Sequence, residues 1–147
     1  MCTEVINLSK EEETQVSGMK IETQEMFHSE PKCRGLKVTE DDQKIGFWTD
    51  TKYVDELKKF YEDCNTIVIN CFFPRDTNTR KHTTVEDVPK IVEGLNASTV
   101  ILSHFGKTFL ESDMKDEKEW LNDKLNQKVI LAEDNMTFPG DRKLSSF

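Results

Sequence analysis

Three histidines are spread through the 147 residues of this chain, and one of them stands where a metal ligand commonly stands. His104 closes the apolar run Thr99-Val100-Ile101-Leu102-Ser103 and is followed by Phe105-Gly106. A second run, Lys44-Ile45-Gly46-Phe47-Trp48-Thr49, delivers a carboxylate, Asp50, in the same manner. A strand that needed only a solvated turn would require neither group. Imidazole nitrogen with carboxylate oxygen is a donor set shared by zinc, manganese and non-haem iron, so the pair points to hydrolytic or redox metal chemistry. Bland readings stand beside this one. Asp50 alone could form a turn or cap the helix that follows, and His104 could be a satisfied core imidazole.

Those groups need strands and helices to hold them. The segment Val5 to Phe27 reads as two or three β-strands: Val5-Ile6-Asn7-Leu8, a Glu-rich stretch, a turn at Ser17-Gly18, then Met19 to Phe27 with one face buried and one wet. Glu11-Glu12-Glu13 reads as a solvated strand edge that discourages pairing with other chains. After a loop marked by Pro31 and Gly35, Leu36–Thr39 and Lys44–Trp48 read as a hairpin. Val54, Leu57 and Tyr61 share one helical face ahead of the buried strand Thr66 to Asn70. Thr84 is placed to cap a helix with Asp87 three residues on; Val88, Ile91, Val92 and Leu95 form its apolar stripe before the strand ending in Ser103. A third helix, about Met114 to Leu125, precedes the strand Lys128 to Ala132. Strand and helix alternate through the second half, which predicts a layered α/β arrangement: one mixed sheet covered by about three helices. Residues 1–136 form the expected domain and 137–147 a polar tail.

Composition narrows the function further. The length supports one domain with a core. A net charge of −8 repels polyanions, so nucleic-acid binding is not expected. Cys2, Cys33, Cys64 and Cys71 have no C-x-x-C spacing; Cys64 and Cys71 read as small buried hydrophobes, and Cys33 is close in sequence to His28. With no signal peptide and no apolar stretch long enough for a bilayer, a reducing cytoplasm is the expected compartment.

An ordered series of short segments carries a family resemblance. Phe27-His28-Ser29-Glu30-Pro31 comes first, followed by Gly46-Phe47-Trp48-Thr49-Asp50-Thr51 and by His82-Thr83-Thr84 before Glu86-Asp87. Leu102-Ser103-His104-Phe105-Gly106 and Leu131-Ala132-Glu133-Asp134-Asn135-Met136 complete it. In this order they resemble the C-terminal half of the metallo-β-lactamase fold hydrolases, an αββα sandwich whose metal ligands sit at strand ends. The resemblance implies that His28 and His104 are metal ligands and that Asp50 is a carboxylate bridging two ions. It makes His82 a histidine for proton transfer or for holding a phosphate, although a solvent-facing loop histidine is an equal reading. Asp134 would orient the metal loop from outside the ligand set, with Asn135 in place of the usual glycine. The implied activity is attack on a phosphodiester, ester or amide by zinc-bound hydroxide, with one or two zinc ions as cofactor and a small-molecule or phosphoester substrate.

Two departures qualify the activity. The H-x-H-x-D-H motif of the family cannot be built from His28, His82 and His104. Two ligands per ion hold zinc poorly, so this polypeptide is expected to bind metal weakly and to lack turnover alone. Where the family's transfer-RNA-trimming nucleases pair His82's counterpart with a Glu, this chain has Asn70-Cys71-Phe72-Phe73. The alternative is a non-catalytic half-domain that associates with the missing N-terminal half or with a second copy of itself through an uncovered sheet face.

Overall fold

The computed structural model describes residues 7–8, 13–79 and 81–138. An eight-stranded mixed sheet runs in the order β1-β2-β3-β4-β5-β7-β8, with β6 paired to the end of β5. The first four strands, β1 (Glu13–Val16), β2 (Met19–Glu25), β3 (Arg34–Glu40) and β4 (Gln43–Trp48), form an antiparallel meander. The remaining strands, β5 (Thr66–Phe73), β6 (Thr83–Thr84), β7 (Thr99–Ser103) and β8 (Lys128–Leu131), add in parallel. Short helices cover one face: α1 (Lys58–Tyr61), α2 (Val88–Val92), α3 (Lys107–Leu110) and α4 (Met114–Lys124). None of the helices among the described residues is long and apolar enough to cross a membrane.

Strand direction explains why one rim collects the chemistry. Each antiparallel pair reverses the chain, so β2 and β4 point the same way, and β5, β7 and β8 follow β4 in parallel. The C-terminal ends of β2, β4, β5 and β7 therefore share one edge, where α/β sheets bind ligands. His28, Asp50, His82 and His104 all follow one of these ends.

The core lies between the sheet and its helices. Trp48, Ile67, Ile69, Cys71, Val100 and Leu102 are fully buried beneath Tyr61, Val88, Ile91, Phe109 and Leu121. Burial alternates along the strands, as in β5, because every second side chain points away from the helices. On that far face Phe47, Val68 and Ile101 lie side by side in register, flanked by Ile130.

The expected hairpin, the strand ending at Ser103 and the helix from Met114 are present, and the strand expected over Lys128 to Ala132 runs from Lys128 to Leu131. Cys64 and Cys71 are buried as expected, and burial pushes the Cys64 thiol up to about 11 and Cys71 higher still. Thr84 starts its helix with the Asp87 carboxylate accepting from its backbone N–H at 3.2 Å and its hydroxyl at 3.1 Å. Three features differ. Val5 and Ile6 lie outside the described residues, and Asn7-Leu8 is not a strand, so the first described strand is the Glu13–Val16 edge. β2 lacks the expected buried face, because the helices stop short of it and both its sides stay partly exposed. α3 and β6 go unannounced in the sequence; both are too short for periodicity to show. The polar tail lies mostly outside the described residues.

Candidate metal centre

Asp50 sits two residues beyond β4 and is held by its neighbour strand. Asn70 Nδ2 on β5 donates to Asp50 Oδ1 at 3.0 Å, and Ser103 Oγ on β7 donates to Asn70 Oδ1 at 3.4 Å. Asn70 and Ser103 are direct register partners, so this relay is fixed by the parallel pairing itself. Orienting hydrogen bonds of this kind aim a carboxylate and keep its second oxygen free.

His104 faces that second oxygen, with Nε2 at 3.4 Å from Asp50 Oδ2. This spacing is too long for a strong charged hydrogen bond, but ligands about 2.0–2.1 Å from a tetrahedral zinc ion lie roughly 3.3 Å apart. The backbone of His104 is left-handed, with φ 60°. Keeping a non-glycine residue there costs about 1–2 kcal/mol. The following loop holds it: Gly106 N–H donates to Phe72 O at 2.9 Å, and a Cβ on Gly106 would lie 2.5 Å from the Phe72 ring.

His28 follows β2 in a tight turn, where its Nδ1 accepts from the Glu30 N–H at 3.2 Å. His82 arrives from the loop between β5 and β6. That loop is tied to α4 through Arg75, whose Nε donates to Glu117 Oε2 at 2.9 Å and whose guanidinium also pairs with Asp116 and covers the Trp120 ring. The Phe72 ring stacks on the His82 imidazole at 4.8 Å. Donor atoms of His28, Asp50 and His82 all lie within 4.8 Å of one another. Burial holds the His82 imidazole below the ordinary histidine value; Asp50 opposes this, while His28, His104 and Lys81 add to it. A neutral ring is the form that binds metal.

His28, Asp50 and His82 would fit a divalent cation, with His104 on the free oxygen of Asp50. Imidazoles with a carboxylate are a zinc-type donor set, and His82 Nδ1 is buried without a hydrogen-bond partner, an orphan that a cation would satisfy. The structure thus brings His28, Asp50, His82 and His104 to one rim. Asp134 falls outside the cluster, exposed in the turn after β8, where Asn135 takes the left-handed conformation with φ 63°.

Asn70, Ser103, Thr51, Phe72 and Arg75 do not stand out as site residues in the sequence. Asn70 is the most legible of them: a polar residue in an apolar strand is the same signal that marks Asp50 and His104. Cys33 supports the rim from behind, its thiol donating to the Asp50 carbonyl at 3.2 Å.

Residues 2–105 match the family model described as the beta-lactamase superfamily domain. The chain belongs to this superfamily. Its fold is that of the metallo-β-lactamase fold protein YhfI from Bacillus subtilis, at TM-score 0.76 and 15% identity, covering 84% of this chain and 51% of that one. A diphosphatase from the PhnP family is similar at TM-score 0.65 and 18% identity, covering 88% and 47%. Zn(2+)-bound PqqB from Methylobacterium extorquens is similar at TM-score 0.65 and 11% identity, covering 87% and 50%. The chain therefore spans about half the length of these structures. No curated protein matches it.

Proposed function

We propose that this superfamily chain is one half of a metal-dependent hydrolase and supplies one wall of the metal centre. The observation that carries the reading is the convergence of His28, Asp50 and His82, with His104 beside Asp50, at the rim of a sheet whose other face carries the apolar row Phe47, Val68 and Ile101. A complementary strand-rich segment carrying H-x-H-x-D-H would cover that face and bring the remaining ligands.

A bound divalent cation, zinc on this reading, acidifies a water molecule and polarises the scissile group of a phosphodiester, ester or amide. The chain's own share is positional. Asn70 fixes one oxygen of Asp50 and leaves the other toward His104. Phe72, stacked on His82 and 5.5 Å from the His104 ring, walls the rim with apolar surface that excludes water from one side. The similar PhnP-family protein is a diphosphatase, which supports a substrate attacked at phosphorus. The free thiols of Cys33, Cys64 and Cys71 fit a reducing cytoplasm.

The test is reconstitution: the chain is mixed with zinc and a strand-rich segment bearing H-x-H-x-D-H, and hydrolysis of a chromogenic phosphodiester is followed. Turnover that disappears with Asp50→Ala is expected. Correct assembly with persistent inactivity toward phosphodiester, ester and amide probes would overturn the enzyme reading. The same apolar face favours a second reading, a non-catalytic half-domain that pairs with that segment or with itself, and assembly without turnover is its signature.

A further inference from the structure

We propose that the end of the sheet opposite the metal rim holds a second site, for a small amphiphilic carboxylate whose apolar body lies in a cleft on the far face and whose anionic end meets Thr66, Thr99 and Lys128. The cleft has a volume of about 490 Å³, within the range of pockets that take small molecules. Its floor is a row of register partners: Ile45 pairs with Thr66, Thr66 with Thr99, and Thr99 with Lys128. Alternate side chains of a strand share a face, so all four line the cleft, together with Ile130. Thr66 stands four residues before Asn70 on β5, which sets this floor roughly 13 Å from the rim.

The polar half of the floor calls for an anion. Thr66 and Thr99 are each only 9% exposed, and neither hydroxyl has a hydrogen-bond partner among the described residues. Lys128 is exposed and forms no ion pair among them. Asn65 lines the same end, and with its Oδ1 taken by the Lys44 N–H at 2.7 Å it has only amide donors left to offer. An enclosed hydroxyl without a partner is costly, and a carboxylate beside a cation accepts strong hydrogen bonds from such groups. A purely apolar occupant would leave these donors unsatisfied. The apolar half comes from both sides. The turn after β8, closed by the Met136 N–H on Glu133 O at 3.0 Å with Asn135 left-handed, brings Met136 and Phe138 to the wall of the cleft, near Ile45 and Ile130. The row Phe47, Val68 and Ile101 lies nearer the rim and outside this lining, so the site stands whether or not another segment covers that row.

Sodium octanoate titrated into the full chain, with the amide resonances followed by NMR, tests the site. Saturable shifts centred on Thr66, Thr99, Lys128 and Phe138 are expected, and 1-octanol, which lacks the charge, should bind about tenfold more weakly. Thr99→Val keeps the shape and removes the hydroxyl; it should weaken octanoate by about tenfold, and Thr99→Ser should restore it. Lys128→Met should cost about fivefold, the upper worth of an exposed ion pair, and bring octanoate and octanol closer together. Phe138→Ala should weaken both ligands alike. Circular dichroism checks the fold of each variant, and the exposed position of Lys128 keeps the test decisive should Thr99→Val fail to fold. No saturable shift, shifts centred on the rim or on the Phe47, Val68 and Ile101 row, or Lys128→Met and Thr99→Val variants that bind octanoate as the unaltered chain does would each overturn the site.

Discussion

The Thr83 hydroxyl donates to the backbone carbonyl of Thr51 at 3.0 Å, joining the residue after His82 to the residue after Asp50. Thr51 reaches the third segment as well: its Oγ accepts from the Phe27 N–H at 3.1 Å, one residue before His28. Thr51 and Thr83 are fully buried. One threonine thus ties together the backbones carrying three of the four rim donors, although it touches none of their side chains in doing so.

Thr51→Val keeps the shape and removes the hydroxyl, leaving the Phe27 N–H without its partner. The expected cost is about 1 kcal/mol, the net worth of an ordinary hydrogen bond, because the Phe27 amide is only partly buried. Urea unfolding reads the loss. Zinc affinity should fall in parallel and recover in Thr51→Ser; a valine variant with native affinity would show that the ligands find their places without this knot.

His28 must give up a hydrogen bond to bind metal. Its Nδ1 accepts from the Glu30 N–H, and a neutral ring has only one free lone pair. Coordination through Nδ1 consumes that lone pair, and coordination through Nε2 puts the proton on Nδ1. Either way the Glu30 amide loses its acceptor. Its amide resonance should shift on zinc addition and its hydrogen exchange should quicken, while an unmoved Glu30 amide would mean that His28 stays out of the metal shell.

Gly106→Ala places a Cβ 2.5 Å from the Phe72 ring and 2.8 Å from the Phe72 carbonyl. Overpacking of this kind costs about 1–3 kcal/mol. Combining it with Phe72→Ala should recover only part of the loss, because the carbonyl clash survives removal of the ring. A double-mutant cycle in urea measures the difference, and full additivity would argue against the contact.

Arg75→Met removes both charged partners of the loop that carries His82 and leaves Glu117, only 8% exposed at its side chain, without its guanidinium. An isolated buried carboxylate costs about 3–5 kcal/mol where burial is complete, and the 22% exposure of Arg75 discounts this toward about 2 kcal/mol. Glu117→Gln in the same background should restore part of the stability.

Val68 and Ile69 are neighbours on β5 with opposite fates. Ile69 is fully buried under the helices, and Val68 is half-buried on the far face. Ile69→Ala should cost about 2–5 kcal/mol, and Val68→Ala about 1 kcal/mol or less. Val68→Lys should leave the chain folded and block assembly with a complementary segment, measured by sedimentation. A lysine variant that assembles normally would remove the far face from the interface.

The amino-acid sequence determined the elements that have a period and the residues that break one. Alternation in β3 to β5, the apolar stripe of Val88, Ile91 and Val92, and the polar groups closing the runs before Asp50 and His104 are local properties that a linear pattern carries. The order of short segments was enough to place the chain in its superfamily. Only the tertiary structure decided which groups meet. His28 and His82 lie 54 positions apart in the numbering, and nothing in their own surroundings says that the two rings come to rest 5.2 Å from one another. Their meeting depends on β2 and β4 running in the same direction, on a loop pinned by Arg75 to a distant helix, and on Thr51 bonding to both neighbouring backbones. Strand direction and long-range hydrogen bonds are set by packing, and packing is a property of the whole chain at once.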